Sequence, residues 1–256
     1  MKNIYQIVCV LYSYLVTFFE KNFLLFKKQK GIFFINEKGY EILKSNIDVK
    51  KIINEKEIKV NKYTDKIIVS EKSLFNFLNY LFLEKKLANR ITKRTGYKYS
   101  VNFFTNYRTL HVPNSDRNGD WYANKWHNDK PFSENTLKII IPLNDMSSGN
   151  YGGIKILDID QSKNLVLQKK NNSFSNFFEM KSTLEELVIF LPKLCYHKAG
   201  IPNINLKRNQ IMIQLNPAKK WSINNNIYKK QFNLEPKFPF FNYLVEKKIF
   251  LDTCLK

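Results

Sequence analysis

The sequence predicts a mainly β fold with flanking helices, an α+β chain whose core is a sandwich or jelly roll. From residue 97 onward, short runs rich in β-branched and aromatic residues alternate with turn chemistry. The breaks hold Asn144-Asp145, Gly149-Asn150, Gly152-Gly153, Asn171-Asn172 and Pro192, which points away from a βαβ array. One earlier stretch, 71–94, repeats apolar residues at helical spacing. A hydrophobic content of 44% with 15% aromatics is ample for a packed core and excludes wholesale disorder.

Residues 4–19, IYQIVCVLYSYLVTFF, are the most apolar run. They fall short of the roughly 20 residues that a spanning helix needs. Extension through 23–26 would bury Glu20 and Lys21, and no small-residue cleavage site follows. The run reads as a helix packed on the domain, an interfacial anchor aided by Lys27, Lys28 and Lys30, or a membrane segment. Residues 1–30 therefore stand apart, and peripheral membrane contact is one expectation for them.

Residues 31–47 read as a short helix, a turn at Gly39 and a strand through 40–43. Residues 48–70 are lysine-rich, with β-like runs at 58–60 and 67–69. The helix over 71–94 starts after Ser70 or Ser73, repeats Leu74, Leu78, Leu81, Leu87 and Ile91, and stops at Gly96. Residues 31–95 thus make a mixed, largely helical elaboration. Strands are expected at 97–107, 136–143, 154–157, 164–167, 187–191 and 209–215, with a polar loop over 111–125. These make 96–220 the core. Residues 221–256 form an extension with a last helix at 240–250, and 31–256 is expected to form one globular domain.

The chain carries 42 Lys+Arg against 22 Asp+Glu, a formal +20. That balance suits nucleic acid, acidic lipid or a phosphorylated metabolite, or reflects drift toward Lys, Asn and Ile. The cations are scattered in pairs such as Lys50-Lys51 and Lys85-Lys86, and no nucleic-acid-binding module is recognisable. A small-molecule substrate, anionic by preference, is the expected partner. Cys9, Cys195 and Cys254 show no CxxC spacing, which argues against a disulfide framework or zinc ribbon and for a reducing, cytoplasmic compartment. Cys195 reads as a small buried hydrophobe.

Two of the three histidines sit in informative contexts. In a strand, residues i and i+2 face one side, so His127 and Asp129 project together if 126–129 ends a strand. A second histidine, His197, from a distant strand would complete three ligands on one side of a metal. Two histidines and a carboxylate with open positions is the facial arrangement of non-haem Fe(II) oxygenases. Arg208 follows His197 by eleven positions.

The ordered set Trp126-His127-x-Asp129, the strand LKIIIPLND, the turn at Gly152-Gly153, and His197-x-x-Gly200 followed by Arg208 resembles the Fe(II)/2-oxoglutarate-dependent dioxygenases. The phytanoyl-CoA dioxygenase-like group is nearest in style. The opening run Gly39-Tyr40-Glu41-Ile42-Leu43 also resembles that group, and the likeness covers roughly 31–217. It implies a double-stranded β-helix, a distorted, cupin-like jelly roll. It implies Fe(II) on His127, Asp129 and His197, with 2-oxoglutarate and O2 as co-substrates and succinate and CO2 as products. Arg208 would start the last core strand and hold the distal carboxylate of 2-oxoglutarate, with Lys207 in its place if the register slips. Lys138, Tyr99, Asn102 and Tyr107 are candidates for further 2-oxoglutarate contacts. Trp126 is expected beside the metal, Asn128 facing away, and His111 in an ordinary loop. The 109–125 loop and the 168–182 segment are the expected lid and specificity regions.

Overall fold

The computed structural model describes residues 11, 15, 35–48, 54–119, 121–129, 133–168, 176–224, 226–232 and 248–250. The apolar run 4–19 thus lies outside the described residues, save Leu11 and Leu15. Among the described residues no helix is long and apolar enough to cross a membrane.

Two sheets make the double-stranded β-helix. The larger runs in the order β1 (Tyr40–Lys44), β8 (Glu186–Phe190), β5 (Leu137–Pro142), β10 (Lys207–Ala218), β4 (Lys98–Leu110), β11 (Ser222–Asn224), β12 (Lys248–Phe250). A hairpin of β2 (Asn54–Asn61) and β3 (Thr64–Val69) joins it, β3 pairing with β4. The smaller sheet runs β7 (Phe178–Glu179), β6 (Lys155–Ile156), β9 (His197–Lys198). All pairings are antiparallel except β11 with β4.

The larger sheet is buried on both faces over its middle strands. Ile139 and Ile141 of β5 join Leu187, Ile189, Ile211 and Ile213 against the helices α2 (Glu71–Asn79) and α3 (Leu87–Thr95). Ile140 faces the other way, packing with Val188, Phe190, Ile156 and Met180 toward the smaller sheet. Burial on both faces explains why the run Ile139-Ile140-Ile141 lacks alternation. The start of the domain follows expectation: α1 (Ile35–Lys38), then Gly39 at φ +81, then β1.

Three expected elements differ. The helix over 71–94 is interrupted by a π-turn at Tyr80–Glu84, after which Lys86 takes a left-handed conformation at φ 54. The break re-phases the helix, so Leu74, Phe77 and Leu78 are buried before it, Leu81 and Phe82 within it, and Leu87, Ala88 and Ile91 after it. The run 164–167 is not a strand; it lies in α4 (Ile159–Gln168). Asp158 Oδ1 accepts from the Gln161 amide at 2.7 Å, and Gln161 Oε1 accepts from the Asp158 amide at 3.0 Å. That reciprocal capping box starts a helix, and it outweighs the β-leaning apolar run downstream. The helix expected at 240–250 ends in strand β12; the rest of that range lies outside the described residues.

Lys86 is exposed and has no side-chain capping bond. A left-handed non-glycine costs about 1–2 kcal/mol, and glycine gives back about 0.5–1 kcal/mol in chain entropy. Lys86→Gly should therefore stabilise the protein by about 0.5–1 kcal/mol, read as a rise in the urea unfolding midpoint at unchanged slope.

Candidate metal centre and its cavity

His127 and His197 are joined by an isolated antiparallel bridge. The His127 amide donates to the His197 carbonyl at 3.0 Å, and the His197 amide donates back at 2.8 Å. Residues paired in this way carry side chains next to each other, and the imidazole centroids are 4.4 Å apart. No strand extends beyond this bridge at 127, so 126–129 is not a strand end. Asp129 is held instead by its own amide, which donates to the Pro192 carbonyl at 2.9 Å.

Each imidazole is oriented by a carbonyl two residues upstream. His127 Nδ1 meets the Lys125 carbonyl at 2.8 Å, and His197 Nδ1 meets the Cys195 carbonyl at 2.9 Å. A carbonyl only accepts, so both Nδ1 atoms carry the proton and both Nε2 atoms keep a lone pair. Asp129 Oδ1 lies 3.9 Å from His127 Nε2 and 3.8 Å from His197 Nε2. One ligand atom from each residue lies within 4.8 Å of the others, a set that could hold a metal ion.

The second oxygen of Asp129 is taken. Lys138 of β5 places its ammonium on Oδ2. Burial pushes the Asp129 carboxyl upward, but Lys138, His197 and His127 together outweigh it and the net shift is down. Burial, with Lys138 adding to it, takes His197 down to about 3. At neutral pH the site therefore presents an ionised carboxylate and a neutral His197.

Arg208 opens β10 and is fully buried, whereas Lys207 beside it is exposed. Arg208 Nη1 donates to the carbonyls of Gly152 at 2.5 Å and Gly200 at 2.9 Å. A Cβ on Gly200 would lie 2.5 Å from the Gly153 oxygen, so only glycine lets these two backbones meet behind the guanidinium. The Tyr122 ring lies 5.6 Å from the guanidinium carbon. Burial lifts the Tyr122 phenol to about 12. Arg208 Nε and Nη2 have no hydrogen-bond partner, and no carboxylate among the described residues pairs with the group.

One cavity of about 290 Å³ connects these groups. Its walls include His127, His197, Lys138, Tyr107, Arg208 and Gln210. Of the residues marked in the sequence, the structure brings together His127, Asp129, His197, Arg208, Lys138 and Tyr107. It does not bring Tyr99 or Asn102. Tyr99 packs against Trp221 in the helix-side core, and Asn102 Oδ1 accepts from Asn224. The cause is a bulge: opposite Gln214 and Leu215 the register jumps from Phe103 to Val101. Beyond it the faces exchange, so Tyr99 and Tyr107, eight residues apart, point to opposite sides.

Trp126 is not beside the triad. Its ring meets Phe177 at 5.9 Å and Lys198 at 4.8 Å, away from the cavity wall. Asn128 Nδ2 donates to the Lys193 carbonyl, and His111 Nδ1 meets the Pro202 carbonyl, neither of them lining the cavity. Cys195 is buried, its thiol lifted to about 12. Within the 109–125 loop, Tyr122 and Ala123 reach the cavity. Asn61 holds that loop by donating to the Trp121 carbonyl at 2.6 Å. Of the 168–182 segment, 169–175 lie outside the described residues. Gln210, Tyr122 and Lys66 also line the cavity and were not singled out. Gln210 was findable, two residues after Arg208 on the same strand face; the others carry no local signal.

His197 ties acid stability to the site. Its pKa is about 3 folded and about 6.5 unfolded, so between these values the unfolded chain binds more protons. Stability of the metal-free protein then falls as pH drops below 6.5. The slope from this residue approaches about 1.4 kcal/mol per pH unit. His197→Asn should flatten the dependence between pH 7 and 4.5 in urea unfolding of the metal-free chain.

No known protein family matches the chain, and no curated protein matches it. Solved structures do. SnoN, the non-heme alpha ketoglutarate dependent epimerase from nogalamycin biosynthesis, aligns over 71% of this chain and 79% of its own, with 11% identity and a TM-score of 0.50. HygX from Streptomyces hygroscopicus, solved with nickel, 2-oxoglutarate and hygromycin B, aligns over 73% of this chain and 86% of its own. Its identity is 11% and its TM-score 0.47. At such identity the likeness to SnoN speaks for the fold. The chain has the double-stranded β-helix fold of the non-haem, 2-oxoglutarate-dependent enzymes, with the two histidines of a His-Asp-His cluster on its cavity wall.

Proposed function

We propose that the chain is a non-haem Fe(II)- and 2-oxoglutarate-dependent oxygenase that hydroxylates an unactivated C–H of a small or lipid-like molecule, releasing succinate and CO2. The observation that carries this is Arg208, a buried cation with unpaired donors on the cavity that His127 and His197 line, Asp129 lying beside those two histidines. Two imidazoles and a carboxylate alone would suit several divalent metals. A buried guanidinium without an anion is costly, and its planar fork matches a carboxylate. A non-oxidative metal protein would leave that place without an occupant.

The residues present fit the groups. His127 Nε2, Asp129 Oδ1 and His197 Nε2 would hold the ion from one side and leave the other side open. When bound, iron with 2-oxoglutarate and O2 supplies an oxidant for C–H bonds at the expense of 2-oxoglutarate decarboxylation. Arg208 fixes the distal carboxylate of the co-substrate, and the Gly152 and Gly200 carbonyls fix Arg208. Lys138 keeps the second oxygen of Asp129 occupied, so the carboxylate offers one donor atom. Ile140, Phe190 and Met212 form an apolar wall that limits water near the triad. Because Asp129 supplies the third protein ligand, no protein position is left for a halide, which favours hydroxylation over halogenation.

The iron-loaded protein is expected to form succinate from 2-oxoglutarate, coupled to a substrate or slowly without one. Arg208→Ala should weaken 2-oxoglutarate binding about 100-fold, the loss of a charged bidentate contact, and leave Mn(II) affinity within about threefold. Asp129→Ala should abolish metal binding. Calorimetric titration of both ligands reads these effects. Absence of 2-oxoglutarate binding and of succinate in the metal-loaded wild type would sink the assignment.

A further inference from the structure

The cavity wall holds an acceptor that 2-oxoglutarate has no means to match. Gln210 of β10 pairs with Tyr107 of β4, and both side chains line the cavity. Gln210 is 2% exposed. Its Nε2 donates to the Tyr107 hydroxyl, while its Oε1 has no hydrogen-bond partner. Thr64 of β3 lines the same cavity, is 8% exposed, and its hydroxyl oxygen is also without a partner. Buried polar atoms are rarely left unmatched, so each marks a place that a ligand can fill.

The type of unmatched atom says what fills it. 2-Oxoglutarate is a dianion whose oxygens accept and do not donate. It suits Arg208 Nε and Nη2, donors without partners, and has nothing to give Gln210 Oε1. Burial raises the Tyr107 phenol above its ordinary value, against the pull of Arg208, so the hydroxyl keeps its proton at neutral pH. Accepting from Gln210 leaves that O–H to donate. The pair therefore presents one acceptor and one donor to the cavity. Turning the amide over exchanges which residue supplies which, and both functions remain. A carboxylate would set its oxygens against Oε1, and an ether would leave Oε1 unmatched. An ammonium would meet no counter-charge, because the described lining residues include no Asp or Glu. An alcohol hydroxyl gives a proton to one partner and takes one from the other.

We propose that Gln210 and Tyr107 form the recognition site for an uncharged hydroxyl on the substrate, an alcohol held by that group with an apolar stretch reaching the triad. The inference rests on the oxygenase reading and names the substrate class of that site. It departs from the anion that the net charge suggests. Met212 follows Gln210 by two residues on the same face, and Ile140 pairs with Met212 across the β5–β10 ladder. Phe190 continues this apolar wall, its ring centroid 4.8 Å from that of His197. The carbon skeleton of the substrate then runs from the Gln210 amide over Met212 and Ile140 to the metal ligands.

The test uses the full chain loaded with Mn(II) and 2-oxoglutarate, titrated with hexan-1-ol and with its isomer 1-methoxypentane, an ether that accepts but does not donate. Hexan-1-ol is expected to bind at least about tenfold more tightly than the ether. Hexanoate, charged and without a donor, should bind no better than the ether. Gln210→Leu should bring hexan-1-ol down to the affinity of the ether, with Mn(II) and 2-oxoglutarate affinities within about twofold of wild type. Tyr107→Phe removes only the phenol oxygen and should cut the preference for the alcohol by about threefold or more. It decides the matter where Gln210→Leu loses Mn(II) binding through misfolding. Equal binding of alcohol and ether by wild type, no binding of hexan-1-ol, or an unchanged preference in the variants overturns the proposal. So does tighter binding of hexanoate than of hexan-1-ol, which would make the occupant an anion. A loss of 2-oxoglutarate affinity in Gln210→Leu with Mn(II) affinity kept also overturns it, by placing Gln210 in the co-substrate site. Failure of the wild type to take up Mn(II) and 2-oxoglutarate, read before any probe is added, is instead failure of the oxygenase assignment itself.

Discussion

The pair of backbone hydrogen bonds between His127 and His197 is the constraint on which the site depends. It ties a loop that follows the first part of the chain to the smaller sheet, seventy residues later in sequence. It sets the two imidazoles side by side, and the carbonyls of Lys125 and Cys195 then turn both Nε2 atoms the same way. The two histidines share one local device: an Nδ1 proton given to the carbonyl two residues back. Asp129 needs only its own amide bond to Pro192 to bring Oδ1 into range of both rings. The ligand geometry is therefore mostly a property of backbone pairing, not of long side chains searching for a partner.

Arg208 is placed by a different means, and at a cost. A fully buried guanidinium with two unpaired donors is a desolvated charge worth several kcal/mol against folding. The fold tolerates it because Gly152, Gly153 and Gly200 bring two backbone segments close enough for two carbonyls to share one nitrogen. Tyr122 adds a ring at the guanidinium, and the loop that carries Tyr122 is anchored by Asn61 on the β2–β3 hairpin. The hairpin outside the core is thus coupled to the Arg208 end of the cavity. The same hairpin supplies Lys66.

Much of this is legible in the sequence. The turn at Gly39, the strands at 136–143, 187–191 and 209–215, and the order of His127, Asp129, His197 and Arg208 rest on local chemistry that sequence displays. What stayed hidden was phase. One irregularity near Asn102 exchanges the faces of β4 and moves Tyr99 into the helix-side core, while Tyr107 keeps the cavity. One π-turn re-phases the long helix without disturbing its apolar spacing enough to be seen. The helix α4 did carry a signal, the Asp158 to Gln161 capping box, masked by the apolar run after it. Lys66 had no signal, because a lysine on a strand reads as solvated until its neighbours across the sheet are known.

Lys138 joins the electrostatics of the site to its readiness for a metal. Without an ion, Asp129 is a partly buried carboxylate next to two imidazoles, and burial alone would favour its protonated form. The ammonium on Oδ2 reverses that preference and at the same time discourages protonation of His197. Both groups therefore rest in the states that ligate metals, an anionic oxygen and a neutral nitrogen. An arriving ion has no proton to displace from either. It does meet the repulsion of Lys138, so the readiness and the affinity of the site are set against each other by one side chain. Because that ammonium occupies the outer oxygen, the ion is offered one oxygen and two nitrogens on a single side. Arg208 lines the same cavity as the two imidazoles.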